Sequence, residues 1–268
     1  MKLGNPPVIE AWVEFRFATG EGGPPWDEAL AVMFLEQALG GRYRIEHFIG
    51  GPEVVLDNTG GRPSIKDAKI SLHRVRAIRT DSNDRYLQVG RGLLVCNLVR
   101  KQQAWPTFDV LCNEALEILP NYLDFFKPKK LLAAAVNYRD IVSIPWPDSK
   151  QVDLREFIKL YPEVPAEVFG RVGDFRISCS LEETAQNGVL TLSIQKECQP
   201  DKPNPDGSAP SLRLRMDWNV TSSNLESTET DAVRTWLMGA HDDLFRMFQS
   251  AFTDKGWSLF DPQEETPQ

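Results

Sequence analysis

Alternation of apolar and polar side chains is the pattern that most limits the folds open to this chain of 268 residues. Residues 8–17 alternate behind a Pro-Pro pair, and a similar opening returns at Leu131–Ile144. A period of two residues is typical of a strand with one packed face and one open face. Each opening precedes a helical segment, several strand-like runs and a long apolar helix, which Trp105 or Trp236 introduces. This order predicts an α+β protein of two pseudo-repeated halves, each an antiparallel β-sheet backed by helices.

The charged, proline-containing stretch Lys127–Lys130 separates the two predicted halves. We therefore expect an N-terminal α+β half over residues 1–130 and a C-terminal α+β half over residues 131–254. Residues 255–268 are expected to form a polar tail, which is acidic and frays after Trp257.

The second half contains the clearest strands. Three runs alternate strictly, and a proline-rich insert at 199–210 separates the last two of them. The runs are Phe175–Glu182, Leu190–Gln195 and Leu212–Asn219. They predict antiparallel strands with one open polar face. A short helix over 153–161 precedes them, and a final helix over about 229–252 follows them.

In the first half, a glycine- and proline-rich turn at Gly20–Pro25 leads into a helix near Trp26. Residues 50–70 are rich in Gly, Pro and Asp and predict a long loop. Strands are expected at 43–49, 71–79 and 86–98, and a long amphipathic helix is expected after Trp105-Pro106.

Positive charge is concentrated in one segment of an acidic chain. The formal net charge is −8, yet residues 72–101 carry seven Lys or Arg against two Asp. Clustered arginines can clamp phosphates, so this hairpin is a candidate anion-binding or nucleic-acid-binding surface. The other interpretation is a solvated hairpin that pairs with acidic residues elsewhere. The candidate residues are Arg74, Arg76, Arg79, Arg85 and Arg91.

A second candidate surface is the polar side of the predicted strands. Trp12 projects among charged residues, and Arg176, Arg213 and Arg215 alternate with apolar positions. An aromatic side chain among charges can anchor a partner or can be covered by a loop. We take Trp12, Arg176, Arg213 and Arg215 as candidate partner-binding residues.

Motifs for known chemistry are missing from the sequence. It contains no nucleophile elbow, phosphate-binding loop, calcium loop or Cys-x-x-Cys pair. Gly20-x-Gly22 begins like a dinucleotide fingerprint, but Pro25 stands where the third glycine belongs. His241 is expected to be a hydrogen-bonded histidine at a packing edge. The sequence therefore predicts no cofactor, no metal site and no catalytic residue.

Composition predicts a cytoplasmic protein that does not enter a membrane. No apolar run approaches the ~20 residues that span a bilayer. The first residues lack the apolar stretch of a secretory signal, and four cysteines in 268 residues do not suggest a disulfide framework.

Several motifs occur together in a recognisable order. They are Pro6–Phe17, the Leu87–Gly90 and Val95–Asn97 hairpin, Ala135–Ile141, and the ending Trp236–Phe248. Nearly the whole chain thereby resembles a sporadically distributed, uncharacterised bacterial protein family of about this length. The resemblance implies no catalytic residues, and a patchy distribution is typical of accessory or defence-associated genes. The β-α-β(3-4)-α order of each half resembles the TATA-box-binding fold, which implies no function by itself.

These observations favour a non-enzymatic module that binds a protein partner through an exposed sheet face or edge strand. The alternative is binding of nucleic acid or a nucleotide through the basic hairpin at 72–101. A third hypothesis is an enzyme whose site is assembled from scattered residues.

Overall fold

The computed structural model describes residues 2–18, 26–57, 64–101, 105–145, 152–161, 175–182, 188–196, 211–222, 225 and 227–263. The predicted Gly20–Pro25 turn, the insert at 199–210 and the last five residues of the predicted tail lie outside these ranges.

In the described part of the chain, nine strands form one continuous antiparallel sheet. They are β2 (Val8–Ala18), β3 (Tyr43–Asp57), β4 (Ser64–Arg79), β5 (Arg85–Gly90), β6 (Leu93–Val99), β7 (Lys130–Pro145), β8 (Arg176–Leu181), β9 (Gly188–Lys196) and β10 (Ser211–Ser222). Their order across the sheet is β3-β4-β5-β6-β2-β7-β10-β9-β8. Each strand except the two at the ends is therefore hydrogen-bonded on both sides.

The prediction of two pseudo-repeated halves, each with its own helix-backed sheet, is wrong. The two opening strands β2 and β7 pair directly with each other, with Val13 opposite Val136 in the middle of the sheet. This pairing satisfies backbone groups that two separate sheets would leave at unprotected edges. The expected border at 130/131 falls at the start of β7, in the centre of the sheet. The expected resemblance to the TATA-box-binding fold, which required two such halves, is therefore also wrong.

The helices cover one face of this sheet. They are α1 (Glu28–Met33), which continues as a π-helical turn over Phe34–Ala38, α2 (Phe108–Phe126), α3 (Thr230–Ser250) and α4 (Asp254–Trp257). Single 3-10 turns occur at Leu154–Glu156 and Ser258–Phe260. Helix α2 lies against β6 and β2, α3 lies against β10 and β7, and the two helices contact each other.

The hydrophobic core lies between the sheet and these helices. Val13, Phe15, Val136, Met216 and Val220 are fully buried, whereas their neighbours along each strand are mostly half-buried. The alternation that predicted the strands thus separates a sealed face from an open one.

Three local predictions differ from the structure. The expected loop at 50–70 is largely part of the β3–β4 ladder, in which register shifts follow Ile45, Ile49 and Val55. Such bulges allow Gly50-Gly51-Pro52 to remain within a strand. The expected strand at 86–98 is two strands joined by a turn at Gly92, where φ is +68°. The expected helix at 153–161 contains only the three-residue 3-10 turn.

The C-terminal segment is also more ordered than a frayed tail. Strand β1 (Lys2–Leu3) pairs with β11 (Pro262–Gln263), and Phe260 is buried among Phe248, Phe252 and Trp257. This segment therefore connects the two ends of the described chain through the core.

Among the described residues, no helix has both the length and the apolar character needed to cross a membrane.

Candidate functional site

The sheet face that points away from the helices is the candidate functional site, and we call it the open face. Side chains from eight strands reach it, and no described helix covers it. The side chains on this face include Arg74, Arg76, Gln88, Asn97, Glu10, Trp12, Asn137, Arg139, Arg213, Arg215, Asp217, Ser193 and Arg176.

A charged network crosses the middle of the open face. Arg139 Nε donates to Asp217 Oδ1 at 2.7 Å, and its Nη1 donates to Glu10 Oε2 at 3.2 Å. Asn97 then donates to Glu10 Oε1 at 3.0 Å, and Gln88 donates to Asn97 Oδ1 at 3.0 Å. The network links β5, β6, β2, β7 and β10, and it holds the central side chains in fixed positions.

A row of amides lies beside this network. Asn219 Nδ2 donates to Asn137 Oδ1 at 2.6 Å, and Thr221 Oγ1 donates to Asn219 Oδ1 at 2.8 Å. Asn137 is nearly buried, and its own amide reaches the carbonyl of Trp12 at 3.5 Å. The centre of the open face is therefore polar but already well satisfied.

Three of the predicted partner-binding residues lie close together near one end of the sheet. Arg215 is opposite Gln195 on β9, and Gln195 is opposite Arg176 on β8, while Arg213 precedes Arg215 by two residues on the same face. Adjacent strands lie ~4.8 Å apart, so the Cα atoms of Arg215 and Arg176 are roughly 10 Å apart, and Arg213 lies one pleat further along β10. We call Arg176, Arg213 and Arg215 the arginine group.

Charge is not balanced at the arginine group. Arg215 Nε donates to Asp217 Oδ2 at 2.8 Å, but Arg139 shares the same carboxylate. Arg176 is within 3.4 Å of the Ser193 hydroxyl, and neither Arg176 nor Arg213 has a carboxylate partner in the described part of the chain. Unpaired guanidinium groups on an exposed surface are suited to bind carboxylates from outside the molecule.

Trp12 is the fourth predicted partner-binding residue, and it lies nearer the centre of the sheet. Its ring is half-buried, and the Arg139 guanidinium carbon is 5.6 Å from the ring centroid. Two strand spacings separate β2 from β10, so Trp12 flanks the arginine group rather than joining it.

The basic segment is divided between the two faces of the sheet. Arg79 and Arg85 lie on the helix side, where each has an Nη1 atom 3.5 Å from the buried carboxylate of Glu114 on α2. Tyr43 also donates a hydrogen bond to Glu114. A hydrogen bond to Asp81 raises the pKa of Arg79 above its usual range, so the guanidinium remains charged. These two arginines therefore neutralise a buried acid of the same chain.

The other arginines of the basic segment lie elsewhere. Arg76 projects onto the open face, 3.2 Å from Glu46 Oε2 and 4.2 Å from the centroid of the Tyr86 ring. Arg74 also points to the open face, and Arg91 is exposed in the turn between β5 and β6. The five candidate anion-binding residues thus do not form one continuous surface.

Ionisable groups with altered pKa values lie beneath the helices. Tyr138 is 2.9 Å from His241 Nδ1, and the His241 ring stacks on Phe108. Burial lowers the pKa of His241 and raises that of Tyr138. Burial also raises the pKa of Asp140 to about 7, against smaller opposing effects of Trp218 and Arg100. Because Tyr138 and Asp140 are shielded from solvent, they cannot touch a substrate in this structure.

A shallow cavity of about 320 Å³ lies at the end of α3, away from this buried cluster. Its polar lining includes Lys159, Arg246, Thr253 and Asp254, with Trp257 as an aromatic wall. Within the described ranges, no group of three or more His, Cys, Asp or Glu could hold a metal ion.

The sequence did not indicate the central residues Glu10, Asn137, Arg139 and Asp217 as a unit. Each occupies a polar position in an alternating run, which was the available signal. Their association depends on β2, β7 and β10 being neighbours, and the expectation of two separate sheets did not place β2 beside β7.

No family model matches this chain, and a comparison with curated proteins also finds no match.

Proposed function

We propose that the protein binds an acidic segment of another protein on the open face, with the arginine group as the carboxylate-binding element. The observation that carries this proposal is the incomplete neutralisation of Arg176, Arg213 and Arg215. The carboxylates of Glu10 and Asp217 pair with Arg139 and Arg215, whereas Arg176 and Arg213 have no carboxylate partner among the described residues. The local surplus of positive charge is available to an acidic partner.

The fixed neighbours of the arginine group support this assignment. The network through Arg139 and Asp217 positions Arg215 before binding, which lowers the entropy lost when a partner associates. Ser178, Ser193 and Thr191 add hydroxyl groups on the adjoining strands. A partly exposed Trp12 offers an apolar contact at the flank, as aromatic residues do in many interfaces.

Whole-chain charge favours a short acidic segment over a long polyanion. The net charge is −8, so the chain as a whole repels a long nucleic acid more strongly than a short acidic segment. Two of the five arginines in the alternative basic surface are also paired with Glu114. The proposal places the protein in the cytoplasm, and the free cysteines Cys96, Cys112 and Cys179 are consistent with a reducing compartment.

Fluorescence anisotropy with a labelled peptide of alternating Glu and Ser tests the proposal. We expect the double variant Arg213→Glu, Arg215→Glu to weaken binding by about tenfold or more. The matched control is Arg74→Glu, Arg91→Glu, which makes the same change in charge outside the arginine group. Equal loss in both variants would show a nonspecific charge effect and refute the site.

A labelled single-stranded oligonucleotide of equal length provides the second arm of this experiment. The proposal predicts that the peptide binds more tightly than the oligonucleotide at the same salt concentration. Tighter binding of the oligonucleotide, lost in the Arg74→Glu, Arg91→Glu variant, would favour the nucleic-acid alternative instead.

A further inference from the structure

The two ends of the nine-stranded sheet differ in how well they are protected against pairing with another strand. Strand β3, at one end, has three register shifts and contains Pro52, and both features discourage edge-to-edge association. Strand β8, at the other end, pairs with β9 without a register shift and contains no proline or lysine. No described strand lies beyond β8.

The side chains of β8 show an unusual apolar exposure for an edge strand. Ile177, Cys179 and Leu181 point to the helix side of the sheet, where Ile177 and Cys179 are partly exposed and Leu181 is 45% exposed. On the open face, Arg176, Ser178 and Ser180 alternate with them, and the exposed Glu182 follows the strand. An edge with apolar residues and free backbone groups is a template for an added strand.

We propose that β8 pairs with β8 of a second copy of this chain, in the antiparallel register that places Cys179 opposite Cys179. In this register, Arg176 is opposite Glu182 of a second copy, and Ile177 is opposite Leu181 of that copy. Ser178 then faces Ser180, and twofold symmetry repeats every contact. The two sheets become one sheet of eighteen strands.

Complementarity selects this register over its neighbours. Directly opposite residues in an antiparallel pair share a face, so only shifts of two residues keep the apolar side chains together. A register centred on Ser178 would place Arg176 opposite Ser180 and leave Glu182 outside the pairing. The register centred on Cys179 joins both charged ends and pairs the exposed Leu181 with an apolar residue. Neither Arg176 nor Glu182 has an ion-pair partner in the described chain.

Oxidative crosslinking tests this register. Cys198→Ser serves as the background, because Cys96 and Cys112 are buried and Cys179 then remains the accessible thiol. Treatment with diamide is expected to give a disulfide-linked dimer, because paired Cα atoms in a sheet lie within the ~4.4–6.8 Å range of a disulfide. Adding Cys179→Ser is expected to abolish it.

A matched control moves the thiol by one position. Ser178→Cys in the Cys179→Ser background places the two thiols on a diagonal, where the Cα atoms are ~7–8 Å apart and disulfides do not form readily. Adding Ser180→Cys to that variant is expected to restore crosslinking, because residues 178 and 180 are opposite in the proposed register. Crosslinking that is equal at all these positions would overturn the register.

Sedimentation equilibrium without oxidant tests the ion pairs independently. Arg176→Glu is expected to weaken the dimer by about tenfold, since two like-charge contacts replace two ion pairs. Combining Arg176→Glu with Glu182→Arg is expected to restore association. A monomer at every concentration, together with no Cys179 disulfide, would refute the proposal.

This inference does not rest on the proposed function, and the two can fail separately. Loss of peptide binding with an intact dimer would remove only the proposed function. Peptide binding by a strictly monomeric protein would remove only the β8 pairing. If both hold, Arg176 is engaged by Glu182 of a second copy, so peptide binding should depend more on Arg213 and Arg215.

Discussion

Asp140 is a buried acid whose environment opposes its ionisation. It lies on the helix side of β7, and its Oδ1 atom has no hydrogen-bond partner among the described residues. Burial raises its pKa to about 7, with a smaller contribution in the same direction from Asp217. In the unfolded chain, the carboxyl group returns to the ordinary pKa of 3.8.

Replacement of Asp140 by Asn should remove a pH-dependent loss of stability. A pKa raised on folding stabilises the fold below the unfolded pKa, and this contribution is lost as pH rises towards about 7. The stability of Asp140→Asn relative to the natural chain should therefore increase by roughly 2–3 kcal/mol between pH 5 and pH 8. Urea unfolding at both pH values measures it, with Asp242→Asn as an exposed control on α3. The same pH dependence in both variants would contradict this account.

Glu114 is the second residue whose burial has a measurable consequence. It accepts a hydrogen bond from Tyr43 and lies 3.5 Å from both Arg79 and Arg85. Glu114→Ala should destabilise the fold by about 3–5 kcal/mol, because it removes the buried carboxylate that Arg79 and Arg85 share and leaves the Tyr43 hydroxyl without its acceptor. Glu117→Ala, on an exposed site of the same helix, should change stability by less than about 1 kcal/mol. Chemical denaturation of both variants would reveal whether the difference exists.

One interpretation of the sequence was that arginines of the basic segment pair with acidic residues elsewhere, but the sequence could not identify the acidic residue. Glu114 lies beside the apolar stripe of α2 and looks like an ordinary surface residue in the sequence. Only the packing of α2 against the sheet brings it to Arg79 and Arg85. Arg74 and Arg76 are even-numbered and Arg79 is odd-numbered on the same strand, and the structure accordingly places them on opposite faces.

At the level of elements, the periodicity of apolar residues predicts helices and strands more reliably than individual glycine and proline residues predict loops. The helices after Trp26, Trp105 and Thr230 and the strands β8, β9 and β10 are close to expectation because their patterns extend over several turns or pleats. The 50–70 segment was misassigned because glycine and proline were read as loop formers. Bulges in β3 absorb these residues without ending the strand.

Close contact between β4 and β5 can be tested at Gly90. A Cβ atom there would lie 2.7 Å from the carbonyl oxygen of His73, and Tyr122 also donates to the Gly90 carbonyl at 3.1 Å. Gly90→Ala should cost about 1–3 kcal/mol and increase amide hydrogen exchange in β4 and β5. Gly40→Ala is the control, since its Cβ would meet no atom within 4 Å and only its φ of +59° is unfavourable. Unchanged exchange in Gly90→Ala would argue against this backbone approach.

The C-terminal segment should contribute to stability although it was expected to be a frayed tail. Removing residues 258–268 deletes the buried Phe260 and the strand that pairs with β1. This truncation should destabilise the protein by about 3–5 kcal/mol. Removing only residues 264–268 leaves Phe260 and the pairing of β1 in place, and we expect little change. Thermal unfolding distinguishes the two, and similar midpoints would disprove the role of Phe260.

At the scale of the whole molecule, the local sequence pattern predicts individual strands and helices but not the order in which the strands pair in the sheet. The two opening strands β2 and β7 look alike in sequence, and that likeness suggested a repeat. In the structure, they pair with each other, which joins all nine strands into one sheet. Pairing between strands more than a hundred residues apart depends on the total burial of one face, and no local period encodes it.

The same limit applies to the candidate site. The four predicted residues Trp12, Arg176, Arg213 and Arg215 do reach one face, because strand parity alone determines the face of a residue. Their spacing, and the network of Arg139 and Asp217 between them, follow only from the order of the strands.

Arginine side-chain NMR is the most direct test of the central claim, which is that the open face binds acidic segments through the arginine group. The Nε–Hε signals of the natural chain would be followed while the Glu-Ser peptide is titrated. We expect changes at Arg213 and Arg215, with a smaller change at Arg176, while Arg79 and Arg85 remain unperturbed beside Glu114. Changes confined to Arg74 and Arg91, or no change at any arginine, would contradict the account.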